Sequence, residues 1–111
     1  MSEKYIPAGA VTATYDSNNP RWIKGYGGNR LFLQAQQHLA NMILFDRGYI
    51  TLNEVFAMLD LPQTEEGALA GWVSDGIRQI DFGEEADAPP PGPKIELRFN
   101  INSNNVFQDK K

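Results

Sequence analysis

One histidine, no cysteine, and a few short runs of glycine, acid and aromatic residues are all that this 111-residue chain offers for chemistry. Without a thiol there is no disulfide framework, no thiolate metal site and no cysteine nucleophile. His38 falls on the expected polar face of the first helix beside Gln34 and Met42, where a surface or interface role suits it better than a triad or a metal centre. Gly25-Tyr26-Gly27-Gly28-Asn29-Arg30 precedes a helical pattern, and free N–H groups at a helix start can hold an anion. Lys24, Gly27, Gly28, Asn29 and Arg30 are therefore the anion-binding candidates. The run is neither a Walker sequence nor a dinucleotide fingerprint, and a simple hairpin exit with an N-cap explains it better than an anion site does. Asp81, Glu84, Glu85 and Asp87 lack the spacing of a calcium loop, so a solvated acidic loop is expected and no metal. Trp22 and Tyr26 can form an exposed aromatic contact patch, whereas Tyr49 and Trp72, each beside a glycine, read as core anchors.

The elements that hold these residues are clearest around Asp46–Pro62. Gly48 follows a long apolar-periodic run, at a position that wants left-handed backbone. Thr51 and Glu54 then form a capping box, each able to satisfy a backbone N–H at the other. Leu52, Val55, Phe56 and Leu59 recur at helical spacing until Pro62 forbids continuation. Upstream, Val11–Asp16 alternates, Ser17-Asn18-Asn19-Pro20 supplies turn chemistry and Arg21–Tyr26 resumes an extended pattern, which predicts a β-hairpin. Asn29 is the expected N-cap of a helix over 31–45. Phe32, Ala35, Leu39, Met42 and Ile43 mark its expected core face, with Leu33, Ala40 and Leu44 as a second apolar stripe on the flank. Either the second helix covers that flank or another chain does. Leu33, Ala40 and Leu44 are accordingly interface candidates, together with Trp22 and Tyr26.

Further along, Ile77–Phe82 reads as a strand, 84–93 as an acidic, proline-rich loop, and Lys94–Ile101 as a strand with Ile95, Leu97, Phe99 and Ile101 facing inward. Residues 1–10 read as an extension, and 102–111 as a polar tail in which Val106 and Phe107 can anchor. The expectation is a single α+β domain over 1–111, ordered ββααββ, with a small antiparallel sheet packed on a pair of helices.

The string Arg47-Gly48-Tyr49-Ile50-Thr51-Leu52-Asn53-Glu54-Val55-Phe56, followed by Gly71-Trp72 and Ile80-Asp81-Phe82, resembles an uncharacterised family of small proteins from phages, prophages and Gram-positive bacteria. Its GYxTLNE-like helix start, later Gly-Trp and IDF strand match over about residues 11–101. Asp60 stands where the family's helix stop has a glycine, and the proline-rich loop looks like a local elaboration. The resemblance implies a mobile-element setting and no catalytic residues.

Charge narrows the remaining classes. Residues 51–87 carry nine acidic side chains and one basic one, Arg78, within a net charge of −4. Such a block disfavours nonspecific nucleic-acid binding, which needs clustered Lys and Arg. The first ten residues lack the apolar run of a signal peptide, and no eighteen apolar residues run together, so a product of the host cytoplasm or the virion is expected. The leading expectation is a noncatalytic interaction protein that self-associates or binds a protein partner, without a cofactor. The alternative is a small-molecule or nucleotide binder that counters host defence signalling.

Overall fold

In a computed structural model of the chain, residues 11–23, 28–74, 79–83 and 94–109 are described. They form β1 (Val11–Asp16), α1 (Gly28–Arg47), β2 (Tyr49–Thr51), α2 (Leu52–Met58), a 3-10 turn (Glu66–Ala68), β3 (Gly71–Val73), β4 (Lys94–Phe99) and α3 (Val106–Asp109). The fold is α+β. Among the described residues the order of elements differs from ββααββ, and two antiparallel ladders, β1 with β4 and β2 with β3, take the place of one sheet.

β1 pairs with β4, from Val11 opposite Phe99 to Asp16 opposite Lys94, and residues 21–23, the described part of the expected hairpin's second strand, form no strand with it. Turn chemistry explains the difference. Asp16 Oδ1 accepts from Asn18 N, Asn19 Oδ1 accepts from Arg21 N, and Trp22 N donates to Asn19 O, so two turns follow in succession. Asn19 Nδ2 donates to the carbonyls of Leu59 and Asp60, which pins this corner on the end of α2. The second half of the expected hairpin, 24–26, and the acidic proline-rich loop, 84–93, lie outside the described residues.

The Asp46–Pro62 corner follows its sequence. Gly48 has φ +93°, and its N–H donates to Leu44 O, so the helix ends in left-handed backbone. Both halves of the capping box are made, at 3.2 Å from Glu54 N to Thr51 Oγ1 and 2.8 Å from Thr51 N to Glu54 Oε1. Arg47 reinforces it with a 2.6 Å bond to Glu54, and its guanidinium lies 4.2 Å from the Tyr49 ring centre. Burial opposes the Glu54 charge, but the hydrogen bonds from Arg47 and Thr51 outweigh it and hold the carboxyl below its ordinary range. At the far end of α2, Asp60 takes the left-handed position with φ +57°, Leu61 N donates to Phe56 O, and Asp60 N donates to Ala57 O. These two bonds are a Schellman motif with aspartate in the glycine position.

The core gathers around Phe99, whose ring meets those of Phe82, Phe56 and Trp72 edge-on at 5.4, 5.6 and 6.3 Å. Leu97 and Ile101 are buried as the alternation in β4 predicts, with Ile95 half-buried. The four expected residues of α2, Leu52, Val55, Phe56 and Leu59, are buried too. Residues 79–83 form no regular strand, yet Arg98 N donates to Phe82 O and Asn100 N to Asp81 O along the edge of β4. The polar tail docks as well. Val106 is fully buried and its N–H donates to Leu69 O, while Phe107 lies edge-on to Tyr49 at 5.5 Å.

Candidate interaction surface

Helix α1 departs from its sequence reading in the way that matters most for function. Leu33, Ala40 and Leu44, expected on the flank, are 0%, 0% and 5% exposed and form the row that faces the core. Phe32 and Ile43 are half-buried beside them. Ala35, Leu39 and Met42, expected in the core, are exposed. An apolar arc this wide has no unique inward direction on periodicity alone. The tight turn at Gly48 delivers the chain straight into β2, which packs against α1, and so fixes which side of α1 turns inward.

The consequence is an apolar stripe pointing outward. Leu31 is 68% exposed, Met42 54% and Phe45 90%. With Ala35 and His38 they occupy positions 31, 35, 38, 42 and 45, the alternating four-and-three spacing of a helix seam. At 100° per residue this seam lies about 160° from the core row, with Leu39 at its margin. A shallow, open depression of about 650 Å³ adjoins it, lined by His38, Leu39, Asn41, Met42, Phe45 and Gln79 among others.

Beside this stripe, α1 is tied to the 79–83 segment by side-chain amides that take the place of strand partners. Asn41 accepts from Ile80 N at 2.7 Å and donates to Ile80 O at 3.1 Å, and Gln37 accepts from Phe82 N at 2.9 Å. The segment 80–82 is thereby hydrogen-bonded to α1 on one side and to β4 on the other. Three more asparagines clamp both backbone groups of a single residue: Asn29 on Ile23, Asn53 on Thr64 and Asn102 on Val73. Asn100 gathers the indole N–H of Trp72, the N–H of Asp81 and the carbonyl of Gln79. Buried backbone in irregular segments must find such partners. The one buried side-chain polar atom among the described residues without a partner is the Tyr15 hydroxyl.

The other expected sites come out as follows. Trp22 is half-buried with its ring 5.6 Å from that of Tyr15, so it belongs to the packing instead of an exposed patch. Tyr26, Lys24 and Gly27 lie outside the described residues. Gly28, Asn29 and Arg30 form the first turn of α1, which corrects the expected N-cap: Asn29 is inside the helix, 5% exposed, its amide committed to Ile23. Asp81 is exposed and accepts from Gly83 N at 2.7 Å. Glu84, Glu85 and Asp87 lie outside the described residues, among which no three His, Cys, Asp or Glu side chains converge. Sequence reasoning missed Leu31 and Phe45, although their seam spacing was there to be read, and it missed the bridging asparagines.

The architecture is thus a small α+β domain in which, among the described residues, the outward face of α1 is left exposed. Residues 2–107 match the family described as "Family of unknown function (DUF6353)", and the chain belongs to it. No curated protein and no solved structure matches the chain. Among the described residues no helix is long and apolar enough to cross a membrane.

Proposed function

We propose that this chain is a noncatalytic interaction protein encoded by a phage or other mobile element, acting in the host cytoplasm or as a small virion component, and that it docks through the outward face of α1. The observation that carries this reading is Phe45, 90% exposed on a regular helix, with Leu31 and Met42 on the same side. Large apolar side chains held together at a surface mark interaction sites. The absence of cysteine and the single histidine leave no cysteine nucleophile and one imidazole for acid–base chemistry, which supports a binding role. The sequence resemblance supports the mobile-element setting. The nucleotide-binding alternative rests on Lys24 and Gly27, which lie outside the described residues, and on the first turn of α1 at Gly28, Asn29 and Arg30.

The test is a photoreactive amino acid placed at position 45, with Glu96 on the outer side of β4 as the control position, crosslinked in producing cells. The expected result is a discrete adduct from position 45 and none from position 96. Equal or absent labelling at both positions, together with thermal stabilisation by a nucleotide, would transfer the proposal to the alternative.

A further inference from the structure

We infer that the outer edge of β1 is a second interaction surface, separate from α1, and that it pairs with the β1 edge of another copy of this chain. Which backbone groups β1 turns outward follows from β4. Thr12 stands opposite Arg98, and Arg98 N donates to Phe82 O at 2.7 Å, on the side of β4 that faces away from β1. Opposite residues of an antiparallel pair alternate between those that exchange both ladder bonds and those that exchange none. Thr12 and Thr14 therefore belong to non-bonded pairs, and the ladder bonds run through Val11, Ala13 and Tyr15. The N–H and carbonyl of Thr12 and of Thr14 point away from β4, and among the described residues nothing bonds to them. Past Thr14 the edge is closed, because Asp16 O accepts from Asn19 N. The opposite margin of the sheet is closed too: beyond β4 lies the 80–82 segment, and Asn41 and Gln37 of α1 bond its outward groups. Only β1 lacks such a cover among these strands, and it lacks the usual protections of an exposed edge. Val11–Tyr15 has no charge, no proline and no bulge, and Val11, Thr12 and Thr14 are β-branched.

The placement of the open groups selects the occupant. A two-fold copy laid antiparallel with Ala13 opposite Ala13 sets Thr12 of each chain opposite Thr14 of the other. Thr12 N then donates to Thr14 O and Thr14 N to Thr12 O on both sides of the axis, so every open group of one copy meets an open group of the second. Neighbouring registers do worse. With Thr14 opposite Thr14, Thr12 meets the Asp16 carbonyl that Asn19 already uses, and with Thr12 opposite Thr12, Thr14 is carried past the start of β1. Side chains suit the same register. The residues of a non-bonded pair approach to about 4.5 Å between Cα atoms, and the residue at that close point is alanine, half-buried on the core face. On the exposed face threonine meets threonine, a favourable cross-strand pair. No charge precedes Asp16 in the strand, so like charges do not meet across the axis. Glu96 lies one strand behind the junction and stays clear of the second copy. Two strands this short bury well under the roughly 800 Å² per partner of a standard interface, so dissociation on the order of 100 µM is expected.

The test reads the edge amides of the full chain by hydrogen exchange in nuclear magnetic resonance, from low micromolar to near-millimolar concentration. The Thr12 and Thr14 amides are expected to exchange freely in dilute protein and about threefold or more slowly when concentrated, while those of Ala13 and Tyr15 do not change. Thr12→Pro removes an outward donor and no ladder bond, so it is expected to stay folded by circular dichroism and to abolish the slowing at Thr14. Register is read from cysteines, each the only one in its chain. Ala13→Cys is expected to give a disulfide dimer on mild oxidation. The more exposed Thr12→Cys is not, because the two copies of position 12 lie about 8 Å apart, too far for a disulfide. Edge amides that exchange freely at every concentration, edge amides already protected in dilute protein, or equal disulfide formation at positions 12 and 13 would overturn the inference. If purified protein shows no slowing while extract of producing cells protects the Thr12 and Thr14 amides, the edge takes a strand of another protein and the second copy is excluded.

Discussion

Replacing Asn41 with alanine isolates the device that ties α1 to the 79–83 segment. The amide makes two bonds with one residue, 2.7 Å from Ile80 N and 3.1 Å to Ile80 O, and Ile80 is 1% exposed. Alanine leaves that N–H and carbonyl without their partner on a residue that is itself buried. Each buried backbone group left unmade costs about 1–3 kcal/mol, so a loss of about 2–4 kcal/mol is expected once partial relaxation is allowed for. That is a large part of the 5–15 kcal/mol that holds a domain of this size. Urea unfolding followed by tryptophan fluorescence is the assay, because Trp72 reports on the adjoining core through its bond to Asn100. Asn18→Ala, at an exposed turn where the backbone N–H and not the amide makes the bond, is the control and is expected to change stability by less than about 0.5 kcal/mol. A loss under about 1 kcal/mol for Asn41→Ala, or one equal to the control, would refute the view that side-chain amides replace strand partners here.

Three further outcomes follow from single groups. Gly48→Ala is expected to lose about 1 kcal/mol or more in thermal unfolding, purely from left-handed backbone strain, since nothing lies within 4 Å of the added Cβ. Tyr15→Phe is expected to be neutral or stabilising by chemical denaturation, because it removes a buried hydroxyl that has no partner. The Glu54 carboxyl is held below its ordinary value of 4.5 in the folded chain, so its contribution is present above that pH and is lost as pH falls through the lower, folded value. The wild type should therefore lose more melting temperature between pH 5 and pH 3 than Glu54→Gln does.

What was legible in the sequence was local. Gly48, Thr51 and Glu54 act within a few residues of one another, so their types and spacing specify the corner directly. The alternation of Leu97, Phe99 and Ile101 likewise marks a face of a strand without naming its neighbour. The pairing of β1 with β4 spans some eighty residues, and nothing in Val11–Asp16 distinguishes that partner from a nearby one. The inward row of α1 was undetermined for a related reason. Its apolar arc is wide because one side serves the core and the other does not, and hydrophobicity scores both alike. Asn41 and Asn100 read as ordinary polar residues, since their value lies in backbone groups far away in sequence.

The most direct measurement of the docking claim is the methyl spectrum of methionine. Of the three methionines, Met42 lies on the outward stripe at 54% exposure, while Met58 is half-buried against the core. With the methyl groups carbon-13 labelled, adding extract of producing cells or concentrating the protein should shift or broaden the Met42 signal and leave Met58 in place, and Phe45→Glu should abolish the change. A Met42 signal that stays sharp and fixed at every concentration and in cell extract would contradict an interaction surface on α1.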